Sequence, residues 1–211
     1  MLVNRRLFTA ALLVLSLEFL TLSSATAAVD EGQIEQATAV VEKLHSTLVS
    51  VATQQNLDFE QRVEKLDSVV RNSFDFAYIS RFLLRRTWTD LAAEEQQRFI
   101  DIFERLSVAS YASRFAEVSA ESLVINESQV QGENRVQVIA SVMLEDRDVP
   151  LSYLLQPVSD EPVERWVIVN VMADGVSDLA LRRAEYSRVL ADENFEGLLD
   201  HVAQQIEALN P

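Results

Sequence analysis

Hydrophobic positions in the first half of the chain recur every three or four residues, which is the period of an amphipathic α-helix. These stripes predict a long helix around residues 34–51 and a second helix at about 58–72. Asp75 is placed to cap a short third helix, because its carboxylate can accept from a free backbone N–H of the first turn. A fourth, long helix is predicted from about Ala92 to Glu117. The first half is therefore expected to be helical.

From Ser122 onward the period changes to two, which is the pattern of half-buried β-strands. Polar turns at 131–134, 145–148 and 159–164 divide this region into four consecutive strands. Strands joined by such short turns pair as an antiparallel meander. We therefore predict an α+β domain, in which helices pack on a four-stranded antiparallel sheet.

The last predicted strand and the helix after it form the centre of this arrangement. Apart from Asn170, residues 166–172 are apolar on both faces, as in a strand covered on both sides. Simple alternation places Val167, Val169 and Val171 on one face and Trp166, Ile168 and Met172 on the other. Gly175 then breaks the strand, and Ser177 is placed to cap the next helix. A further amphipathic helix is predicted at about 195–209.

The N-terminal segment has the pattern of a cleaved secretory signal. Two arginines precede an apolar run at 7–17, and small residues fit a cleavage site after Ala27. Glu18 interrupts the apolar run too early for a spanning helix, which needs about 20 apolar residues. We predict a signal peptide at 1–27 and a single domain at 28–211, with an uncleaved N-terminal anchor as the alternative.

The charge of the chain excludes some classes of function. Acidic residues number 33 and basic residues 18, which gives a formal net charge of −15. Such a chain is a poor ligand for nucleic acid, because that binding depends on neutralising phosphates with Lys and Arg. It is equally unsuited to lying flat on an anionic lipid surface. The chain has no cysteine, so neither a disulfide nor thiol catalysis is available to it.

Motifs of catalytic chemistry are missing from the sequence, which has no Gly-rich phosphate loop, no HExxH and no GxSxG. Its two histidines, His45 and His201, lie far apart on predicted helices. We expect each to be a partly exposed helix residue and not a ligand of a shared metal. Ser177 lies between two aspartates, but no histidine is near it in sequence to activate the hydroxyl. We therefore predict no catalytic residue, metal site or cofactor.

Apolar residues are plentiful on both the predicted sheet and the predicted helices. Their pattern fits an ordinary close-packed core. An apolar binding pocket would use the same residue types, so the pattern alone leaves both interpretations open.

Three segments of the chain together resemble the MlaC / toluene-tolerance family of periplasmic lipid carriers. They are an aromatic-rich stretch at Phe74–Trp88, a glutamine-rich helix start with paired aromatics at Glu94–Phe115, and the Ala-Asp-Gly-Val-Ser corner at 173–177. The sequence VSDLALRRAEY after that corner resembles the hopanoid-associated, HpnM-like branch. The chain departs from the family pattern at Arg85, where the family often has glycine.

The resemblance implies a non-enzymatic, monomeric carrier whose interior is an apolar pocket for acyl chains, while the headgroup faces water. It implies shuttling of phospholipid through the periplasm between an inner-membrane ABC transporter complex with an MCE-domain protein and an outer-membrane lipoprotein complex. A hopanoid or another isoprenoid lipid is the alternative ligand. A solid-cored adaptor that binds the transporter and carries nothing, or a hydrolase, is the alternative function.

Candidate lipid-binding residues are the inward positions on elements that should face one another. They are Phe82, Leu83, Phe99, Phe103, Val138, Val142, Tyr153, Val169, Val171, Met172 and Val176. Positive charge is scarce in this chain, yet Arg81, Arg85 and Arg86 occur close together. We predict that these three arginines contact the headgroup or a partner protein, with a solvated helix surface as the alternative.

Overall fold

The computed structural model describes residues 29–210 except 55, 117, 118, 120, 121, 145, 146, 161 and 162. The predicted signal peptide lies outside the described residues. In chain order, the elements are α1 (Glu31–Ala52), α2 (Phe59–Ser73), α3 (Phe76–Leu84), α4 (Arg86–Asp90), α5 (Ala93–Arg114), β1 (Leu123–Val130), β2 (Val136–Leu144), β3 (Arg147–Asp160), β4 (Val163–Ala173), β5 (Val176–Ser177) and α6 (Asp178–Ala208). Among the helices of these described residues, none is both long enough and apolar enough to cross a membrane.

Aspartates begin the first three helices. Asp30 and Asp58 each accept a hydrogen bond from the backbone N–H three residues later, and the glutamine at that position bonds back to the backbone N–H of the aspartate. Asp75 accepts from the N–H of Tyr78 at 2.8 Å, which confirms its predicted role as a cap. These bonds satisfy backbone donors that have no partner inside the helix.

The strands form one antiparallel sheet in the order β1-β2-β3-β4-β5, so each strand pairs with the next in sequence. The predicted α+β fold with an antiparallel meander is confirmed, but the sheet has five strands where the sequence predicted four. The additional strand, β5, is two residues long and pairs with Met172 and Ala173 of β4. A strand this short cannot display a period of two, so the hydrophobic pattern could not reveal it.

Helices cover the inner face of the sheet. Four inward residues of β2 are buried: Val136, Val138, Ala140 and Val142. Helix α1 lies across this face and contacts the four long strands. On the opposite face, Gln129 donates to Gln137 at 3.0 Å and Gln137 donates to Ser152 at 2.6 Å. One face of the sheet thus belongs to the core, while the other carries hydrogen-bonded polar side chains.

A β-bulge changes which residues of β4 face the helices. The register between β3 and β4 shifts at Leu154/Leu155, which leaves Val169 as an extra residue in β4. Successive side chains of a strand alternate between faces, so one extra residue reverses the alternation beyond it. The prediction that Val171 lies on the face opposite to Ile168 is therefore wrong, because both residues face the helices.

A short helix, α4, separates α3 from α5 and was not predicted. It contains Trp88, which is buried. Between α3 and α4, Arg85 has a φ of 49° and a ψ of −114°, a backbone conformation that favours glycine. This is the position at which the MlaC-type pattern often has glycine, so the departure noted in the sequence coincides with a strained residue.

Helix α6 is interrupted at Asn194, which has a φ of 76° and a ψ of −172°. The side-chain oxygen of Asn194 accepts from the N–H groups of Glu196 and Gly197, at 3.0 and 3.4 Å, and so begins the second half of the helix. The two separate helices predicted for this region correspond to the two halves of α6.

Ser177 joins the sheet to α6. Its Oγ accepts from the N–H of Ala180 at 3.2 Å, which confirms the predicted N-cap, and donates to Oδ1 of Asn170 on β4 at 2.8 Å. One hydroxyl therefore fixes both the first turn of the helix and its position against the neighbouring strand.

A Ser177→Ala variant should lower the free energy of unfolding by about 1 kcal/mol, since it loses both hydrogen bonds. Urea denaturation of the two proteins measures this difference. Ser187→Ala is the matched control, because Ser187 is exposed and its hydroxyl bonds only to a carbonyl of its own helix, that of Arg183. A loss for Ser177→Ala no larger than that of the control would contradict the capping role.

Candidate functional site

An apolar cavity of about 390 Å³ lies between the inner face of the sheet and helices α3, α5 and α6. This volume lies within the range of about 300–1,000 Å³ that is typical of ligand pockets. The apolar part of its wall consists of Phe74, Phe76, Ile79, Phe103, Tyr111, Phe115, Val142, Val149, Leu151, Tyr153, Val171, Ala173 and Leu179. The polar part consists of Ser107, Ser110, Arg114, Arg147, Asn170, Asp174, Asp178 and Arg182.

The periods of the elements explain why these residues meet. On α5, Phe103, Ser107, Ser110, Tyr111 and Arg114 lie on one side of the helix, since residues three and four apart share a face. On β3, every second residue from 147 to 153 contributes to the wall, as the alternation of a strand requires. An amphipathic helix facing an amphipathic strand thus encloses an apolar space.

Aromatic rings fill much of the helical side of the wall. The ring of Phe76 lies 6.1 Å from that of Phe103, and the ring of Tyr111 lies 5.8 Å from that of Phe74. Tyr111 is also stacked on Phe115 at 5.4 Å. Aromatic pairs at such distances are favourable beyond the area they bury. The rings therefore support one another around the space without filling it.

Four of the predicted pocket residues line this cavity: Phe103, Val142, Tyr153 and Val171. They are brought together from α5, β2, β3 and β4. Val171 is part of the cavity wall because the bulge in β4 turns its side chain inward. Their role in binding a lipid remains a prediction.

The other predicted pocket residues on helices and on β2 lie outside the wall. Leu83, Phe99 and Val138 are buried in the close-packed core. Phe99 lies one helical turn before Phe103 and packs edge-on against Tyr186, with ring centres 6.1 Å apart. Phe82 is half-buried beneath the guanidinium of Arg183, which lies 4.8 Å from its ring centre. The hydrophobic stripe of a helix is wider than the part that faces the cavity, so the stripe alone predicted too many residues.

Three predicted pocket residues near the end of the sheet also lie outside the wall. Val169 is the extra residue of the bulge, and Met172 pairs with the outward Ser152. Val176 is 50% exposed in β5. All three were predicted as inward positions, but the bulge in β4 and the turn at Gly175 determine where their side chains lie.

The predicted arginine cluster does not contribute to the cavity. Arg81, Arg85 and Arg86 are exposed, and none of them is among the wall residues. The arginines of the wall are Arg114 on α5, Arg147 on β3 and Arg182 on α6. Sequence reasoning missed these three because they are far apart along the chain and come together only in the fold. A local signal existed only for Arg182, which lies five residues after the Ala-Asp-Gly-Val-Ser corner at 173–177.

Ion pairs connect the arginines of the wall with two aspartates at the mouth of the cavity. Arg147 lies 2.9 Å from Asp174. Asp178 lies 2.7 Å from Arg182 and 3.8 Å from Arg114. Burial lowers the pKa of Arg182, but the Asp178 carboxylate and Tyr186 together raise it by more, so this guanidinium is firmly charged. Three arginines and two aspartates give the wall a formal charge of +1, in a chain whose net charge is −15.

Tyr153 of the cavity wall is one member of a buried polar pair. The Tyr153 hydroxyl lies 3.0 Å from Nε2 of His45, at hydrogen-bond distance. His45 is buried, so the expectation that it is partly exposed is wrong. The sequence carried the signal, because His45 lies four residues after Val41 and three before Leu48 on the buried stripe of α1. Burial lowers the pKa of His45 to about 4 and raises the pKa of Tyr153, so both are neutral at pH 7.

The stability of the protein should therefore depend on pH through His45. Its pKa of about 4 in the folded protein lies below the ordinary value of 6.5, so the unfolded chain binds the proton more readily between these values. This contribution to stability is complete above pH 6.5 and falls as the pH drops towards 4, by about 2 kcal/mol at pH 5. Urea denaturation at pH 7.5 and 5.0 measures the loss.

In a His45→Gln variant, the loss between the two pH values should be about 2 kcal/mol smaller than in the wild type. The comparison is made at the same two pH values, so the contributions of the carboxylates cancel. An equal loss in both proteins would contradict the assignment of this pH dependence to His45.

Comparison with known proteins gives two findings. The sequence model of the MlaC protein family matches residues 38–204. The fold is similar to the solved structure of a phospholipid-binding protein from Ralstonia solanacearum in complex with a phospholipid, with a TM-score of 0.70 and 16% sequence identity. This similarity covers 84% of the present chain and 98% of the other. No curated protein matches the sequence.

Proposed function

The chain belongs to the MlaC family, and from this membership we propose that it binds a phospholipid and carries it between membranes. The fold is similar to that of a Ralstonia solanacearum protein in complex with a phospholipid, which supports the same class of ligand here. Carriage would run through the periplasm, after removal of the signal peptide at 1–27. The partners would be an inner-membrane ABC transporter complex with an MCE-domain protein and an outer-membrane lipoprotein complex.

The observation that carries this proposal is the apolar cavity with its charged mouth. Acyl chains would occupy the space between the sheet and α5, and the headgroup would lie at the mouth beside Arg147 and Asp174. Each methylene removed from water stabilises the complex by about 0.8 kcal/mol. A bound lipid would therefore not leave into water, whereas its exchange with a bilayer would be nearly neutral. The direction of transport must then come from the partners.

The cavity also favours a carrier over the solid-cored adaptor, because an adaptor needs no apolar space. Apolar side chains beside the mouth offer a contact surface for a partner at which a lipid could pass. Val176 and Leu181, which are 50% and 61% exposed, lie within three residues of the wall residue Asp178. Contact there would shield the lipid from water during transfer.

Mass spectrometry of the lipids bound to the protein tests this function. The protein is purified from the periplasm without detergent and extracted with organic solvent, and the lipid is counted per chain. We expect phospholipid in stoichiometric amount. A hopanoid in its place would change the ligand but keep the carrier. A folded protein that contains no lipid would contradict the carrier and support the adaptor.

Sequencing the N-terminus of the same periplasmic protein tests its location and processing. A chain that begins at Ala28 is expected if the signal peptide is cleaved after Ala27. A chain that still begins at Met1 and sediments with membranes would support the uncleaved anchor.

A further inference from the structure

Arg182 is a largely buried cation in the wall of an apolar cavity. Its side chain is 14% exposed, compared with 61% for Arg114 and 71% for Arg147. Its guanidinium lies 5.9 Å from the ring centre of Phe103, which lines the same cavity. A buried charge is unfavourable unless it is paired and hydrogen-bonded. A lipid that placed only hydrocarbon beside Arg182 would displace water without replacing its hydrogen bonds.

The existing partners of Arg182 leave part of its hydrogen-bonding capacity unused. Its Nε donates to Asp178 at 2.7 Å, but that carboxylate also lies 3.8 Å from Arg114 and so serves two guanidinium groups. The terminal amino groups of an arginine carry further N–H donors, more than the neighbouring Tyr186 hydroxyl can use. The wall holds three arginines against two aspartates, so one additional negative charge would balance it.

A phosphodiester carries one negative charge, and its oxygens match the fork of an arginine, which binds phosphate through parallel hydrogen bonds. We propose that Arg182 binds the phosphate of the lipid and thereby selects phosphate-bearing lipids over neutral lipids with the same acyl chains. Arg182 lies between the ring of Phe103 and the carboxylate of Asp178, where the apolar part of the wall meets its charged part. Arg182 would recognise the phosphate group itself and not the alcohol attached to that phosphate. This inference rests on the proposed function and adds its determinant of ligand class.

A competition between two lipids with identical tails tests this role. The full chain is incubated with an excess of an equimolar mixture of deuterated dioleoylphosphatidylglycerol and deuterated dioleoylglycerol, then re-isolated and its lipids counted by mass spectrometry. A hydrogen bond to a charged group should favour the phospholipid about 10-fold or more in the wild type. In Arg182→Gln most of this preference should be lost, because the phosphate then keeps only the exposed arginines of the mouth, Arg114 and Arg147, whose attraction is weakened by water.

Arg183→Gln is the matched control. It removes the same charge from the next residue, whose guanidinium lies over the ring of Phe82 outside the cavity wall. This variant should keep the wild-type ratio. If Arg182→Gln also keeps that ratio, or if the control loses as much, the role of Arg182 is overturned. Equal uptake of both lipids by the wild type would overturn it too, while leaving the carrier function intact. Uptake of neither lipid would overturn the carrier function itself.

Asp178→Asn provides a second test in the opposite direction, which holds even if Arg182→Gln folds poorly. Replacing this carboxylate by a neutral amide weakens its hold on the Arg182 guanidinium and raises the formal charge of the wall from +1 to +2. The preference for phosphatidylglycerol should then increase several-fold. An unchanged or reduced preference would contradict the proposal.

Discussion

A Val171→Asp variant should fold but lose nearly all of its bound lipid. Val171 lines the cavity beside Tyr153, its pairing partner on β3, and is only partly buried. An aspartate at this position would therefore be hydrated in the empty protein. When acyl chains enter, that carboxylate would have to give up its water, which costs several kcal/mol for an unpaired charge. At about 1.4 kcal/mol per tenfold change in affinity, this corresponds to a loss of a hundredfold or more. Lipid counted per chain after purification without detergent measures the effect.

Val124→Asp is the control for this prediction. It makes the same chemical change in β1, at a residue that is 45% exposed and lies outside the cavity wall. We expect this variant to keep its lipid. A folded Val171→Asp protein with wild-type lipid content would remove Val171 from the site. Loss of lipid from both variants would show that added negative charge, and not its position, is responsible.

In contrast to Val171→Asp, a Phe99→Ala variant should lose much of its stability while its lipid binding changes little. Phe99 is 0% exposed and packs between Phe103 and Tyr186, with ring centres 6.0 and 6.1 Å away. Truncating such a side chain leaves a cavity and lowers the free energy of unfolding by about 3–5 kcal/mol. That is a large part of the roughly 5–15 kcal/mol that stabilises a typical domain. Urea denaturation at low temperature, where the variant remains folded, measures the loss.

Phe115→Ala provides the comparison. Phe115 is half-buried, lines the cavity and stacks on Tyr111. Its loss should lower stability less than the loss of Phe99, while reducing the lipid retained per chain. If Phe99→Ala instead costs little stability, or loses its lipid while folded, then Phe99 belongs to the binding site and not to the core.

The fold could be predicted well from the sequence because its signals are local. The change of period near Ser122, the polar turns between strands and the caps at Asp75 and Ser177 each act within a few residues. The two missed elements, α4 and β5, are too short to show a period. Helix α4 depends on the burial of Trp88, and β5 is the short second arm of a hairpin in which Val176 pairs with Ala173 across the turn at 174–175.

The candidate site was predicted less well because its residues come together from elements that are far apart along the chain. Phe99 and Phe103 lie on the same side of α5, one helical turn apart, so they look equivalent in sequence although only Phe103 lines the cavity. The arginines of the wall come from three elements, whereas the cluster at 81–86 is close only along the chain. Hydrophobic pattern identifies which residues are buried but not which of them face an empty space.

The bulge in β4 has an evolutionary consequence. Val169 is the unpaired residue between the core segment 166–168 and the cavity segment 171–173. A relative that lacks this one residue could pair as a regular ladder, with Ile168 still opposite Leu155 and Val171 still opposite Tyr153. The bulge can therefore be gained or lost by a single-residue insertion or deletion without turning any cavity side chain away. Alignments of relatives should allow a one-residue gap at Val169 and be anchored separately on each side of it.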